Sequence, residues 1–489
     1  MELSTLSLKE LGNALRKKAV SAREITGAFL ERIKRFNPDL NAFVTVAEEQ
    51  ALAAANEADL RLARGERVTP LTGIPVAVAD TICTKGIKTT CASRILENFI
   101  PPYDATVVSR LQEAGAVVIG KTNSDEFGAG TTTGYSAFGP VCNPWDKNRE
   151  PGGDGGAVAV AAGLAPLAIS FDTGGNLRRA AAFCGVAGLK PAYGSVSRFG
   201  LAALAPSLEQ IGPLARQVED LALLYQVLAG PDPLDATSLP AGAPGRSGQE
   251  FTGTAATGRP GLRIGLPREY FAGEELQAEV KDLVLAATGI LTEKDGEQVD
   301  LSLPSTGYAL AAHILLAAAE ASSSLARYDG VRYGYRSPEA ADIDLLYKKT
   351  RTEGFGREAK RRILLGTLVL SAECYGDYYL NAQKVRTLVI REFTEAFTKC
   401  DLILTPVTRE LPGRAGEEKS PLRQYQDESY TVAANLAGLS GLSVPCGLVD
   451  GLPVGVQLLA PAGREDLLFQ VARTLEKAVG RFSSPFLRG

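Results

Sequence analysis

Residues 150–200 read EPGGDGGAVAVAAGLAPLAISFDTGGNLRRAAAFCGVAGLKPAYGSVSRFG, and this stretch decides the fold. Glycine and alanine dominate it, and side chains this small let backbone approach backbone or a ligand closely. Upstream, TPLTGIPVAVA at 69–79 is a short apolar run behind turn residues, which predicts a buried strand. The helical pattern DATVVSRLQEAG at 104–115 then feeds a second strand, AVVIGKTN. Such alternation predicts a parallel or mixed sheet covered by helices. Downstream, LRIGLP at 262–267 resumes the sheet, and 309–330 and 355–398 read as helices. DLILTPV, LSVPCGLV and PVGVQLLA supply further strands before an amphipathic helix at 464–479. The expected layout is one large α/β domain, with a central mixed sheet flanked by helices. Its parts are an N-terminal helical segment at 1–65, a core at 66–230, a Pro/Gly-rich surface excursion at 231–261, and the rest of the same domain at 262–489.

Composition excludes several function classes. The 489 residues carry 52 Lys and Arg against 56 Asp and Glu, a net charge of −4. No basic field marks a nucleic-acid binder, so RNA contact would have to be local or carried by a partner, and direct DNA binding is not expected. The longest apolar stretch, AVAVAAGLAPLAI from Ala157, is too short to span a bilayer and is broken by Gly and Pro. The N-terminus lacks the apolar region of a signal peptide, so a cytoplasmic protein without a membrane anchor is expected. Seven scattered cysteines with no CxxC read as reduced thiols. A single histidine, His313, excludes multi-His metal sites. The initiator is the only methionine, which signals strong compositional bias or redesign.

The Gly/Ala stretch, taken with PLTGIPVAVAD, resembles the amidase signature family, and the likeness runs along nearly the whole chain. GKTNSDEFGAG at 120–130, SAFGPVCNPWD at 136–146, FCGVAGLKPAYGSVSRFG at 183–200, EASSSLARYDGVRYGYR at 320–336 and RTEGFGREAKRRILLGT at 351–367 carry it, together with AQKVRTL, ANLAGLSGLSVPCG and GLPVGVQLL. Within the family it is most similar to the glutamine-hydrolysing branch that serves tRNA-dependent amidotransferases. The resemblance implies a heterotrimer whose other members are a tRNA-binding amidotransferase subunit plus a small wrapping subunit. It further implies glutamine or glutamate as ligand, and no cofactor.

The family's chemistry is amide cleavage by a serine, a bridging serine and a lysine, with a glycine turn as oxyanion hole. Here the lysine position after GIPVAV is Ala79, the bridging-serine loop reads PGGDGG with Asp154, and DTGGNLRR puts Asn176 at the nucleophile position. The glycine loop is also two residues shorter than the family's. The turn itself, Gly174-Gly175-Asn176, is kept. Arg361 or Arg362 matches the arginine that holds the glutamine carboxylate, Asp427 the acidic residue facing its amine, and His313-Ile314 replaces a tyrosine pair lining the pocket. Ser124, Ala129, Gly134 and Tyr135 are further departures near the site. Asp154 acting on water, Thr131 to Thr133 and Cys184 are the remaining candidates for replacement chemistry. Losing the nucleophile or base of a comparable triad costs on the order of 10⁶ in turnover. The expectation is a catalytically degenerate subunit or amino-acid-binding relic. The rival is a working glutamine-hydrolysing subunit that donates ammonia, or an engineered inactive version of it. Other residues have structural readings: Arg178 as ion-pair partner of Asp172, Lys121 in GKTN without the glycine loop of a phosphate motif, and His313 as a satisfied core histidine.

Overall fold

A computed structural model describes residues 2–66, 68–130, 134–240, 261–273, 275–293, 296–417 and 420–488. Eleven strands among them form one sheet. They are β1 (Phe43–Val46), β2 (Pro75–Ala79), β3 (Val117–Thr122), β4 (Leu167–Asp172), β5 (Ala187–Lys190), β6 (Gln210–Ala215), β7 (Leu262–Pro267), β8 (Gly296–Leu301), β9 (Leu402–Pro406), β10 (Ser440–Val449) and β11 (Leu452–Ala460). Their order across the sheet is β1-β3-β2-β4-β6-β5-β10-β11-β9-β7-β8. Two parallel wings, β3-β2-β4 and β9-β7-β8, flank an antiparallel centre, so the sheet is mixed.

Strands β2, β3, β4, β9 and β11 are buried along their whole length, because helices cover both faces. That is why they read as unbroken apolar runs rather than alternating ones. The strand expected at 69–79 forms only over its last five residues. The expected 104–115 helix spans Thr106–Glu113, and the final one Glu465–Val479. Residues 1–65 are not all helical: Phe43–Val46 adds an edge strand antiparallel to β3. The helical region at 355–398 is two helices, Arg357–Val369 and Asn381–Lys399, separated by a π-helical turn at Tyr375–Leu380. Of the surface excursion at 231–261, residues 241–260 lie outside the described residues.

One stretch, Pro304–Arg327, is long and apolar enough to cross a bilayer by length and composition. It is packed inside the protein, with Leu316, Ala317 and Ala321 buried. Its helix Ala309–Ser324 lies so tightly against Arg357–Val369 that a Cβ on Gly366 would overlap the Ala318 carbonyl oxygen. Only glycine allows that crossing, which holds His313 and Arg362 on adjoining helices.

Candidate active site

The parallel wing β3-β2-β4 ends its strands at Thr122, Ala79 and Asp172, and the carboxyl ends of such strands are where open α/β sheets present ligand sites. Ala79 pairs directly with Thr122. On the other side Val78 pairs with Ile169, so the register carried one step further sets Ala79 beside Ser170. Ala79 is 1% exposed and contributes only a methyl group. The hydroxyl of its neighbour Thr122 is buried and has no hydrogen-bond partner among the described residues.

Asp154 caps the helix Gly155–Ala161, accepting from the Gly156 N–H at 2.5 Å, and also accepts a hydrogen bond from the Ser170 hydroxyl. Burial pushes its carboxyl up to about 7, and the nearby Asp172 adds to the rise. Sequence reasoning did not single out Ser170, which only the strand register brings next to Ala79 and Asp154. Ser170 thus links two of these positions, the methyl of Ala79 on one side and, on the other, the Asp154 carboxylate already committed to two donors.

Asn176 opens the helix Asn176–Cys184 and turns back on its own loop. Its carboxamide accepts from Thr173 N–H at 3.0 Å and donates to the Phe171 carbonyl at 3.0 Å. Gly175 adopts φ 119°, a conformation that glycine alone takes easily. A Cβ there would overlap Thr431 Oγ1, and that hydroxyl donates to the Gly174 carbonyl at 2.5 Å. A Cβ on Gly174 would meet Glu428 Oε2 and His313 Cε1, each at 2.8 Å. Thr431, Glu428 and His313 thus stand directly against the turn.

The expected anchors are disposed differently from one another. Arg362 is buried and ion-paired to Glu358 at 3.2 Å, with its guanidinium 5.4 Å over the Tyr425 ring. Arg361 also pairs with Glu358, and Tyr425 donates to that carboxylate at 2.9 Å. Asp427 lies 3.6 Å from Arg409, in a cleft it shares with Arg179, Phe183 and Glu150. It is Glu428, one residue further on, that stands against the Gly174 turn. Adjacent carboxylates on one turn cannot be told apart by spacing alone, so Glu428 escaped the sequence reading, as did Glu358. His313 is 1% exposed and bonded through Nε2 to the Thr173 carbonyl at 3.0 Å, and burial pushes its ring down to about 4.

The structural readings of the remaining residues take definite form. Arg178 and Asp172 are fully buried and joined by two contacts of 2.9 Å, and Asn435, Gln457 and the Thr431 carbonyl accept the remaining guanidinium hydrogens. Lys121 is buried and donates to the Ile82 carbonyl, to Thr84 Oγ1 at 2.9 Å and to Thr89 Oγ1 at 3.2 Å, which leaves no phosphate cradle. The Cys184 thiol is buried against the Pro151 carbonyl, and burial holds its pKa well above the ordinary thiol value. Thr131 to Thr133 lie outside the described residues.

Comparison with known proteins gives this geometry a context. The A-type subunit of glutamyl-tRNA(Gln) amidotransferase from Heliobacterium modesticaldum is 49% identical over 483 residues, covering 98% of each chain. The protein of the same name from Carboxydothermus hydrogenoformans is 50% identical over 480 residues, again with 98% of each covered. Among solved structures, the protein of that name from Thermotoga maritima superposes with a TM-score of 0.82 at 35% identity, covering 99% of this chain and 98% of that one. A 6-aminohexanoate cyclic dimer hydrolase superposes with a TM-score of 0.85 at 25% identity over the full length of both chains. The amidase family profile matches residues 24–469, and with relatives this similar along almost its entire length, the chain belongs to the amidase signature family.

Proposed function

We propose that this chain is the A-type component of a tRNA-dependent amidotransferase, acting in the cytoplasm together with its tRNA-binding and small wrapping subunits. Identity near one half over 98% of the chain to proteins bearing that name supports the reading. In that role the chain would release ammonia from glutamine for the conversion of Glu-tRNA(Gln) to Gln-tRNA(Gln), and the whole-length likeness favours this working form.

A second, finer reading rests on one specific observation. Where the family resemblance expects lysine, bridging serine and nucleophile, the chain has Ala79, Asp154 and Asn176, and Asn176 is bonded back to its own turn. Carboxamide and methyl groups supply neither nucleophile nor base, so hydrolysis by the family's serine route is closed. On this reading the subunit is catalytically degenerate and supports amidation from free ammonia. One experiment separates the two. The purified chain is assayed with both partner subunits for glutamate release from glutamine, and for Gln-tRNA formation from glutamine or from ammonium chloride. Glutamine-driven turnover above a control lacking this chain removes the degenerate reading. Amidation from ammonium alone removes the working one.

A further inference from the structure

The helix Arg357–Val369 has two unlike faces. Its inner face holds Arg362 against Glu358 and Tyr425, and packs on Ala318 through Gly366. Its outer face carries Arg357, Lys360, Leu364 and Leu368, spaced three or four residues apart and so aligned along one side. Leu364 is 71% exposed and Leu368 57%. A single exposed leucine is ordinary, but two on adjoining turns make a contiguous apolar patch, the mark of an interaction surface. With Phe355, Leu365 and the cations Arg357, Lys360 and Arg361 they line an open groove of about 780 Å³. No carboxylate lines it among the described residues.

Burial, backbone and charge narrow what fits this groove. None of the three cations is buried, so the groove lacks the enclosed polar groups that fix a small ligand. Its wall at 364–368 is helix, with the backbone N–H and C=O groups paired internally, so an added β-strand would find no ladder there. Arg361 is ion-paired to Glu358. Lys360 donates to the Thr352 carbonyl at 2.8 Å, and its charge also reaches Glu126. Neither Arg357 nor Lys360 forms an ion pair among the described residues. Lys360 and Leu368 lie about two turns apart, ~12 Å along the axis. A second helix laid lengthwise meets this surface ridge to groove. It needs apolar residues one turn apart over Leu364 and Leu368, and a carboxylate about two turns away beside Arg357 and Lys360.

We propose that the outer face of helix Arg357–Val369 docks an amphipathic α-helix of a partner subunit, apolar at one end and acidic at the other. The inference rests on the A-type reading above, which supplies the partners, and adds the face they meet and the chemistry that meets it. The contact falls on the same helix that carries Arg362, the candidate anchor on its inner side.

The test titrates the full chain with each of the two presumed partner subunits and follows complex formation by sedimentation velocity. Leu364→Glu/Leu368→Glu should weaken one of the complexes at least ~100-fold. Arg357→Glu should weaken the same complex about tenfold, by a factor that shrinks in high salt. Leu234→Glu, at another exposed leucine, should leave binding unchanged, and circular dichroism checks the fold of each variant. Benzoylphenylalanine placed at position 364 should photo-crosslink a partner peptide that has an i, i+4 apolar pair with an acidic residue about two turns away. If the parent binds a partner and the leucine variant binds it equally well, the proposal falls while the A-type reading stands. If the parent binds neither subunit, that reading falls and takes the proposal with it. A crosslinked peptide without an acidic residue overturns the proposal even if the glutamate variant fails to fold. Self-association of the chain alone, abolished by the leucine variant, also overturns it and makes the face a contact between copies.

Discussion

Restoring a lysine and a serine to the site should not restore hydrolysis, and the strand register gives the reason. Ala79 lies beside Ser170, whose hydroxyl is bonded to Asp154. A lysine built at position 79 therefore projects toward a buried carboxylate. Two unit charges ~4 Å apart attract by ~4 kcal/mol at an effective dielectric of ~20. That raises the lysine pKa by about three pH units, so the neutral amine needed to accept a proton falls about a thousandfold near pH 8. The double variant Ala79→Lys/Asn176→Ser should thus show little glutaminase activity. Adding Asp154→Ser removes the carboxylate and supplies the bridging hydroxyl, and should raise glutamate release by a factor on the order of 10³. Replacing the short loop PGGDGGAVAV by PGGSSGGSAAAV in the double background should recover at least as much, because it restores the reach of the bridge as well. The assay is glutamate formation at saturating glutamine between pH 6 and 10, with circular dichroism as a folding control. That control is needed because serine at 176 has a shorter side chain and a single oxygen in place of the carboxamide that bonds both Thr173 and Phe171. Equal rates for the double and triple variants across that range would refute the argument.

Other outcomes follow from the same geometry. Burial raises the Asp154 pKa from 3.8 to about 7, so the native state holds this proton more tightly than the unfolded chain. Its stabilisation is complete below pH 3.8 and is lost as pH rises through about 7. Asp154→Asn should therefore gain stability over the parent at pH 8, by an amount on the order of a few kcal/mol, and gain little at pH 4, as read from urea midpoints. Arg178→Met should destabilise the protein by ~3–5 kcal/mol, since it strands the Asp172 carboxylate in the interior. Adding Asp172→Asn should recover most of that loss in the same denaturation assay. Gly175→Ala should cost ~2–4 kcal/mol through a forbidden φ and overlap with Thr431, and Thr431→Gly in the same chain should relieve the overlap but not the backbone strain. Cys142 and Cys374 are partly exposed while the other five thiols are buried, so a thiol reagent should label two cysteines quickly and the rest only on unfolding.

Long apolar runs were legible in the sequence because burial on both faces leaves no polar positions to blur them. LRIGLP forms β7 over its whole length, and the expected strand DLILTPV holds β9. What escaped lacked that signal. β8, GEQVDL, is a partly exposed edge strand, β6 carries an internal Gly and Pro, and β1 is four residues between helices. Within the site, the positions of Ala79, Asp154 and Asn176 came from motif likeness, and so did the kept glycine turn. Ser170, Glu358 and Glu428 did not, because their importance arises from contacts across strands and helices that no local pattern records. Likeness pointed to Asp427 where the three-dimensional contacts favour its neighbour, and neither carboxylate's orientation is encoded in spacing along the chain.

The order of strands also sets a timetable for synthesis. β5 borders β6 on one side and waits for β10 on the other, with Lys190 pairing with Gly441, which is 441 − 190 = 251 residues later. At ~5–20 residues per second on the ribosome, that edge stays open for roughly 12–50 s. An open edge is a template for wrong partners. The nascent first half must survive that interval, and β5 presents only four residues, the last of them a lysine, for another chain to join. The hairpin of β10 and β11 then arrives as a wedge that locks the early and late halves together. Truncation before residue 440 would therefore leave a sheet with an unguarded seam rather than a smaller stable protein.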